Sequence, residues 1–181
     1  MFQDAALLPW RSALDNIRLP LELRKLPLSN QLAAAREARE LVGLARADET
    51  KLPKELSGGM RMRVSLARAL VTNPTVMLLD EPLAAVDDLL REQLLVELSS
   101  IWDARRWTGL MVTHNVDEAV FISQRVIVMA ATPGRITNVI EVPLPFPRVS
   151  SLRSTSEFVA LTAQVRAALR DDAAQPSRTS P

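Results

Sequence analysis

An α/β fold is the class this sequence predicts, and three features carry that expectation. Short apolar runs at 75–79, 109–113 and 125–130 have the length of strands rather than helices. Between them lie stretches with helical apolar spacing, one carrying Leu90, Leu94, Leu98, Ile101 and Trp102, the other covering 116–122. Strands alternating with helices argue an open α/β sheet, and a continuous apolar run such as 75–79 reads as a parallel strand buried on both faces.

The first third is helical instead. Residues 1–10 read as a loop ending at Pro9-Trp10. Ser12 caps a short helix through Ile17, which Pro20 is expected to end. Asn30 opens a strong helix through Leu41, rich in Ala, Glu and Arg and stopped near Gly43. Pro53 marks a loop. Ser57 caps the next helix, on which Val64, Leu66, Ala67 and Leu70 recur at helical spacing until Asn73-Pro74 breaks it. After the α/β stretch, Pro133-Gly134 is a turn and 135–142 a further strand. The run Pro143-Leu144-Pro145-Phe146-Pro147 is an extended connector. Residues 155–170 form a terminal helix carrying Phe158, Leu161, Val165 and Leu169, and the polar 171–181 is expected to be a disordered tail.

Composition narrows the function classes. The 181 residues are 48% apolar and 24% charged with a net charge of +1, ordinary for a globular domain and without the basic excess of a nucleic-acid or membrane-surface binder. There is no cysteine and one histidine, which excludes disulfides, thiolate metal sites and histidine-rich metal sites. No apolar run approaches a membrane span, and Met1-Phe2-Gln3-Asp4 lacks the basic region of a signal peptide, so a cytoplasmic location is expected.

Two runs carry chemistry. Val76-Met77-Leu78-Leu79-Asp80-Glu81-Pro82 is a strand ending in adjacent carboxylates. Ligands of open α/β sheets gather beyond the carboxyl ends of the strands. There one carboxylate can hold Mg²⁺ or its water and the next can accept a proton from an attacking water, as phosphoryl transfer needs. An isolated Asp-Glu would ordinarily be a solvated strand-to-loop transition. The second run is Leu56-Ser57-Gly58-Gly59-Met60. Adjacent glycines allow close backbone approach, and the helix start that follows offers free N–H groups to a phosphate; alone it would more often be a flexible turn before a helix. The lone His114 follows the strand-like Leu110-Met111-Val112-Thr113 and precedes Asn115-Val116-Asp117-Glu118-Ala119.

Together these runs resemble the ABC-type ATPases. Ser57-Gly58-Gly59-Met60 and the continuation Arg61 to Leu70 look like the family's signature helix, and Asp80-Glu81 like its Walker B strand end. His114 is similar to the switch histidine that contacts the γ-phosphate. Ala84-Ala85-Val86-Asp87 is similar to the D-loop, and Gln3, followed by Leu7-Leu8-Pro9-Trp10 and Leu14-Asp15-Asn16-Ile17, to the Q-loop glutamine. The resemblance implies a P-loop NTPase-like core with a partial sheet, a helical signature subdomain and a C-terminal helix. It implies an ATPase domain over 1–148, its helical part at about 10–73 and its α/β part at about 74–142, then a helical extension over 149–170. It implies ATP and Mg²⁺, with Glu81 and His114 catalytic and Gln3 and Asp80 toward the metal. Ser57, Gly58, Gly59, Met60 and Asp87 would face an ATP across a dimer interface.

Leu7-Leu8-Pro9-Trp10, Gly59 to Arg63, Pro133-Gly134-Arg135-Ile136 and the proline-rich 142–148 look most like the ATPase subunits of importers for nitrate, sulfonate, taurine and related small molecules. The expected partners are a permease, a second ABC ATPase subunit and, indirectly, a substrate-binding protein, with no nucleic acid. The expected place is the inner face of the cell membrane.

The sequence departs from the family pattern in one important respect. The P-loop pattern G-x-x-x-x-G-K-[ST] needs paired glycines before a lysine, and none of Gly43, Gly58, Gly59, Gly109 and Gly134 fits. There is also no tyrosine, and Gln124-Arg125 stands where the family usually has Asp-Arg. The expectation is a C-terminal portion of an ABC ATPase, lacking the first strands and inactive alone, with apolar faces open at 75–79 and 109–113. The alternative is a non-catalytic truncated protein that docks on a permease or on a complete ATPase. A soluble ABC ATPase of DNA repair or translation would show a coiled coil or tandem domains, which are not seen.

Overall fold

The computed structural model describes residues 1, 4–84, 86–131 and 133–173. Gln3, Ala85 and the tail from residue 174 onward lie outside the described residues.

Three helices come first. Helix α1 (Ala13–Leu23) starts where Ser12 caps it, the Ser12 hydroxyl accepting the Asp15 N–H at 3.1 Å. Pro20 lies inside this helix instead of ending it. A mid-helix proline costs about 3 kcal/mol. Here Ile17 and Leu21, on either side, are both buried, and that packing holds the helix together past the missing donor. Helix α2 (Leu28–Leu41) begins before the expected Asn30, whose N–H already bonds the Pro27 carbonyl at 3.0 Å. It stops as expected, at Gly43 with φ +67°. Helix α3 (Gly58–Leu70) is capped by Ser57, which accepts the Met60 N–H at 3.2 Å.

The α/β part follows as β1 (Val76–Asp80), α4 (Asp88–Arg105), β2 (Thr108–Val112), α5 (Val116–Ile122), β3 (Arg125–Ala131) and β4 (Gly134–Glu141). Strands β1 and β2 pair in parallel, Val76 opposite Thr108 through Asp80 opposite Val112. Strands β3 and β4 pair antiparallel with an irregularity between Val128 and Met129. The expected single open sheet is therefore two separate two-stranded ladders among the described residues. Burial of β1 on both faces is also not observed. Met77 and Leu79 point into the core while Val76 and Leu78 are exposed, and β2 is largely exposed. The apolar faces expected to lie open do lie open.

Helix α4 joins two cores. Its Leu98 and Ile101 pack with α1, α2, α3, Met77 and Leu79. Its Leu94 and Leu95 pack with Val120, Phe121, β3, β4 and the terminal helix α6 (Ser156–Ala173). Helix α6 buries Phe158 and Val165, whereas Leu169, expected on the same face, is exposed. No helix among the described residues is long and apolar enough to cross a membrane.

Candidate functional site

The register of β1 and β2 sets the site. Because Asp80 lies opposite Val112, both strands end at the same edge, and the Glu81 N–H continues the ladder to the Val112 carbonyl at 2.9 Å. Glu81 then turns sharply, with φ +41°. A non-glycine residue in this left-handed region costs on the order of 1–2 kcal/mol, a strain that tends to persist where it aims a functional side chain. The aim is visible: Glu81 Oε2 lies 3.1 Å from His114 Nδ1, just past the end of β2. The His114 side chain is 73% exposed and that of Glu81 30%. An exposed pair of this kind contributes at most about 1 kcal/mol to folding. Asp80, beside them, is exposed, and among the described residues no hydrogen bond or ion pair occupies its carboxylate.

Chemically, the edge presents an open carboxylate for a hydrated cation, a second carboxylate able to accept a proton, and an imidazole whose Nε2 is left to face an anion. No cluster of three or more metal-ligating side chains occurs among the described residues. The open Asp80 carboxylate is of the kind that holds Mg²⁺, a cation commonly bound by one or two carboxylates together with phosphate and water.

The loops around His114 are held tightly. Asn115 caps α5 by accepting the N–H groups of Asp117 and Glu118 at 2.9 and 3.2 Å. The Thr113 hydroxyl donates to Glu118 Oε2 at 2.7 Å and accepts the Asn115 N–H at 3.0 Å.

The glycine run sits elsewhere. Ser57 and Gly58 are exposed at the start of α3, while Gly59 is buried. A Cβ on Gly59 would meet Leu90 Cδ2 at 2.4 Å, so any larger residue there displaces the end of the Leu90 side chain of α4. Asp87 caps α4 and accepts the N–H of that same Leu90 at 3.0 Å. Thus Gly59 and Asp87 are joined through Leu90. Among the described residues, no hydrogen bond or ion pair links Ser57 or Asp87 to Glu81 or His114. The predicted residues therefore form two groups, Asp80–Glu81–His114 and Ser57–Gly58–Gly59–Met60–Asp87.

Gln3 lies outside the described residues, but the segment after it is anchored. Arg68 of α3 donates to the Ala5 and Ala6 carbonyls at 2.7 and 2.8 Å. Buried Asn16 accepts the Leu8 N–H at 2.8 Å and donates to the carbonyls of Leu8, Arg11 and Ser12. Sequence reasoning gave no role to Arg68, Arg91, Thr113 or Glu118. Glu118 stands in the run quoted with His114, but its partner Arg91 is distant in sequence, and only the fold brings them together.

Comparison with known proteins finds relatives in one family. Residues 1–84 match the family described as ABC transporter. An aliphatic sulfonates import ATP-binding protein of Bacillus cereus is 40% identical over 160 residues, covering 87% of this chain and 61% of the relative. A taurine import ATP-binding protein of Rhizobium johnstonii is 41% identical over 178 residues, covering 93% and 66%. A nitrate import ATP-binding protein of Synechococcus elongatus is 45% identical over 151 residues, covering 82% and 55%. The chain thus spans less than two thirds of the length of these relatives. Among solved structures, a dimeric ATP-binding cassette in a post-hydrolysis state, bound to ADP and phosphate, aligns with a TM-score of 0.67 at 28% identity. That alignment covers 80% of this chain and 63% of the cassette.

Proposed function

The chain belongs to the ABC transporter ATPase family, and on that premise we propose that it forms part of the ATP-binding subunit of an importer for a small solute such as nitrate, a sulfonate or taurine. The observation that carries the reading is the Asp80–Glu81–His114 edge. In one chain it combines an open carboxylate, a carboxylate aimed by a strained turn, and an imidazole 3.1 Å away. In this reading Asp80 and Gln3 serve the Mg²⁺ ion, Glu81 accepts the proton of the attacking water, and His114 faces the terminal phosphate. Ser57, Gly58, Gly59, Met60 and Asp87 serve a second nucleotide across a dimer interface. Likeness to a dimeric cassette supports that arrangement. Bound Mg²⁺ would neutralise phosphate charge; the chain's own part is to orient water and phosphate at the strand ends.

The same reading keeps the ATPase domain at 1–148, with a helical part at 10–73, and treats 149–170 as an extension. It places the protein against a permease at the membrane, with a substrate-binding protein acting only through that permease. The alternative of a docking protein without nucleotide chemistry is not favoured, since the sulfonate, taurine and nitrate relatives are all named for ATP binding.

The P-loop pattern is not among the 181 residues, so that part of an ATP site comes from residues outside them. Fluorescent Mg-ATP titration and light scattering test this, on the purified chain alone and mixed with a P-loop-bearing ABC ATPase. We expect weak binding alone and a nucleotide-dependent dimer in the mixture, lost on Ser57→Arg. Low-micromolar affinity of the chain alone, or no dimer in the mixture, would overturn the reading.

A further inference from the structure

Glu118 is 5% exposed, and its carboxylate is shared between two elements. Oε2 accepts the Thr113 hydroxyl at 2.7 Å, and Oε1 lies 3.2 Å from Arg91 Nε of α4. The same guanidinium donates through Nη2 to the Val86 carbonyl at 2.8 Å and through Nη1 to Asp88 Oδ1 at 2.6 Å. Its Nε also lies 3.4 Å from the Leu83 carbonyl. A continuous relay results, from Asn115 N–H to the Thr113 hydroxyl, to Glu118, to Arg91, to the Leu83–Val86 turn. His114 sits between the first two members, and Asp87 directly follows the last.

A buried ion pair is poor evidence for a gain in stability, because desolvation costs about as much as the attraction returns. What this pair does have is two ends, each fixing the backbone next to a different site residue. We infer that Arg91 and Glu118 are positioning residues that couple the conformation of the His114 loop to that of the turn presenting Asp87. Such a link makes the state of the histidine side of one nucleotide site felt at the residue offered to the other. Its importance for turnover rests on the function proposed above; the coupling itself does not.

The coupling is tested on the whole chain without nucleotide. Thr113→Ala removes the hydroxyl, and Thr113→Ser retains it. Amide hydrogen exchange is followed at Ala84 and Val86, whose N–H groups bond the Glu81 and Leu83 carbonyls. Relative to amides of α3, exchange at Ala84 and Val86 should speed up roughly five-fold or more in Thr113→Ala, the scale of one lost hydrogen bond, and return to normal in Thr113→Ser. A Thr113→Ala effect confined to 113–118 overturns the inference. From the other end, Arg91→Lys keeps the charge but loses the fork. His114 is the only histidine, so its ring gives a single set of NMR signals, and these should move in Arg91→Lys. If they do not, the inference also fails. Coupling in a chain that never supports ATP hydrolysis when assembled would refute the functional reading and leave this inference standing.

Discussion

His114 Nδ1 lies 3.1 Å from Glu81 Oε2 across the ends of two parallel strands, a contact made possible by the left-handed backbone of Glu81. Neither side chain is deeply buried, so the pair is poised for solvent and ligand rather than for the core.

Glu81→Gln and His114→Ala should therefore separate activity from stability. Each variant should unfold in urea within about 1 kcal/mol of the parent, the upper bound for a pair open to solvent. In an assembled ATPase, single-turnover hydrolysis should fall by roughly 100-fold or more, the scale of a lost general base or phosphate donor. A large stability loss with unchanged turnover would give the pair a structural role instead.

Gly59 and Leu90 supply a second test. A methyl group on Gly59 would come within 2.4 Å of Leu90 Cδ2. Gly59→Ala forces the end of the Leu90 side chain to move, at a cost of up to about 1 kcal/mol, and the double variant Gly59→Ala/Leu90→Ala removes that clash, so the two changes should not add. Chemical denaturation of the four proteins of the cycle measures it. Strictly additive losses would mean that α4 does not press on the start of α3.

These two sites also show what the sequence made legible. The glycine run, the strand-end carboxylates and His114 stand out through their joint resemblance to the ABC ATPase motifs; alone, each is an ordinary turn, strand end or histidine after a strand. Three strands were legible as short apolar runs, the fourth from the Pro133-Gly134 turn before it, and the main helices from caps, composition and apolar spacing. Pro20 misled, since local propensity cannot see that Ile17 and Leu21 are buried on either side of it. The division of the strands into two ladders was hidden because apolar runs specify strands but not their neighbours. Arg91 with Glu118, and Arg68 with Ala5 and Ala6, depend on tertiary contacts between segments that no local pattern relates.

Acid should weaken α1 selectively. The Arg11 guanidinium, hydrogen-bonded to Glu22, holds that carboxyl below its usual range. Burial pushes the Asp15 carboxyl up, but hydrogen bonds from Arg18 and Ser12 outweigh it and leave the net shift downward. Both carboxyls titrate lower folded than unfolded, so their contribution is present above the unfolded values near pH 4 and is lost as pH falls through the folded ones. Tm should drop between about pH 5 and pH 3, and the drop should shrink in Arg11→Met and Arg18→Met. An unchanged acid slope in both variants would show that other carboxyls dominate.

Arg148 poses the sharpest question of stability, because it is 1% exposed and has no carboxylate partner among the described residues. Burial lowers its pKa to about 10, which leaves it charged at neutral pH. Its Nη1 donates to the Val120 and Phe121 carbonyls at 2.6 and 2.7 Å, in the last turn of α5, where the negative end of the helix dipole favours a cation. Nη2 reaches the Leu144 carbonyl at 3.2 Å, and the guanidinium lies over the Phe146 ring. The Arg148 N–H donates to the Ser99 hydroxyl at 2.8 Å, tying the proline-rich segment to α4. Arg148→Ala would open a cavity and orphan the α5 carbonyls together. It should cost about 3 kcal/mol or more, and Arg148→Lys, with one compact head in place of a fork, should recover only part. Urea denaturation measures both. Because α5 begins just after His114, the alanine variant should also broaden the lone histidine's NMR signals. A sharp, unshifted histidine in a destabilised variant would show that the far end of α5 does not hold the His114 loop.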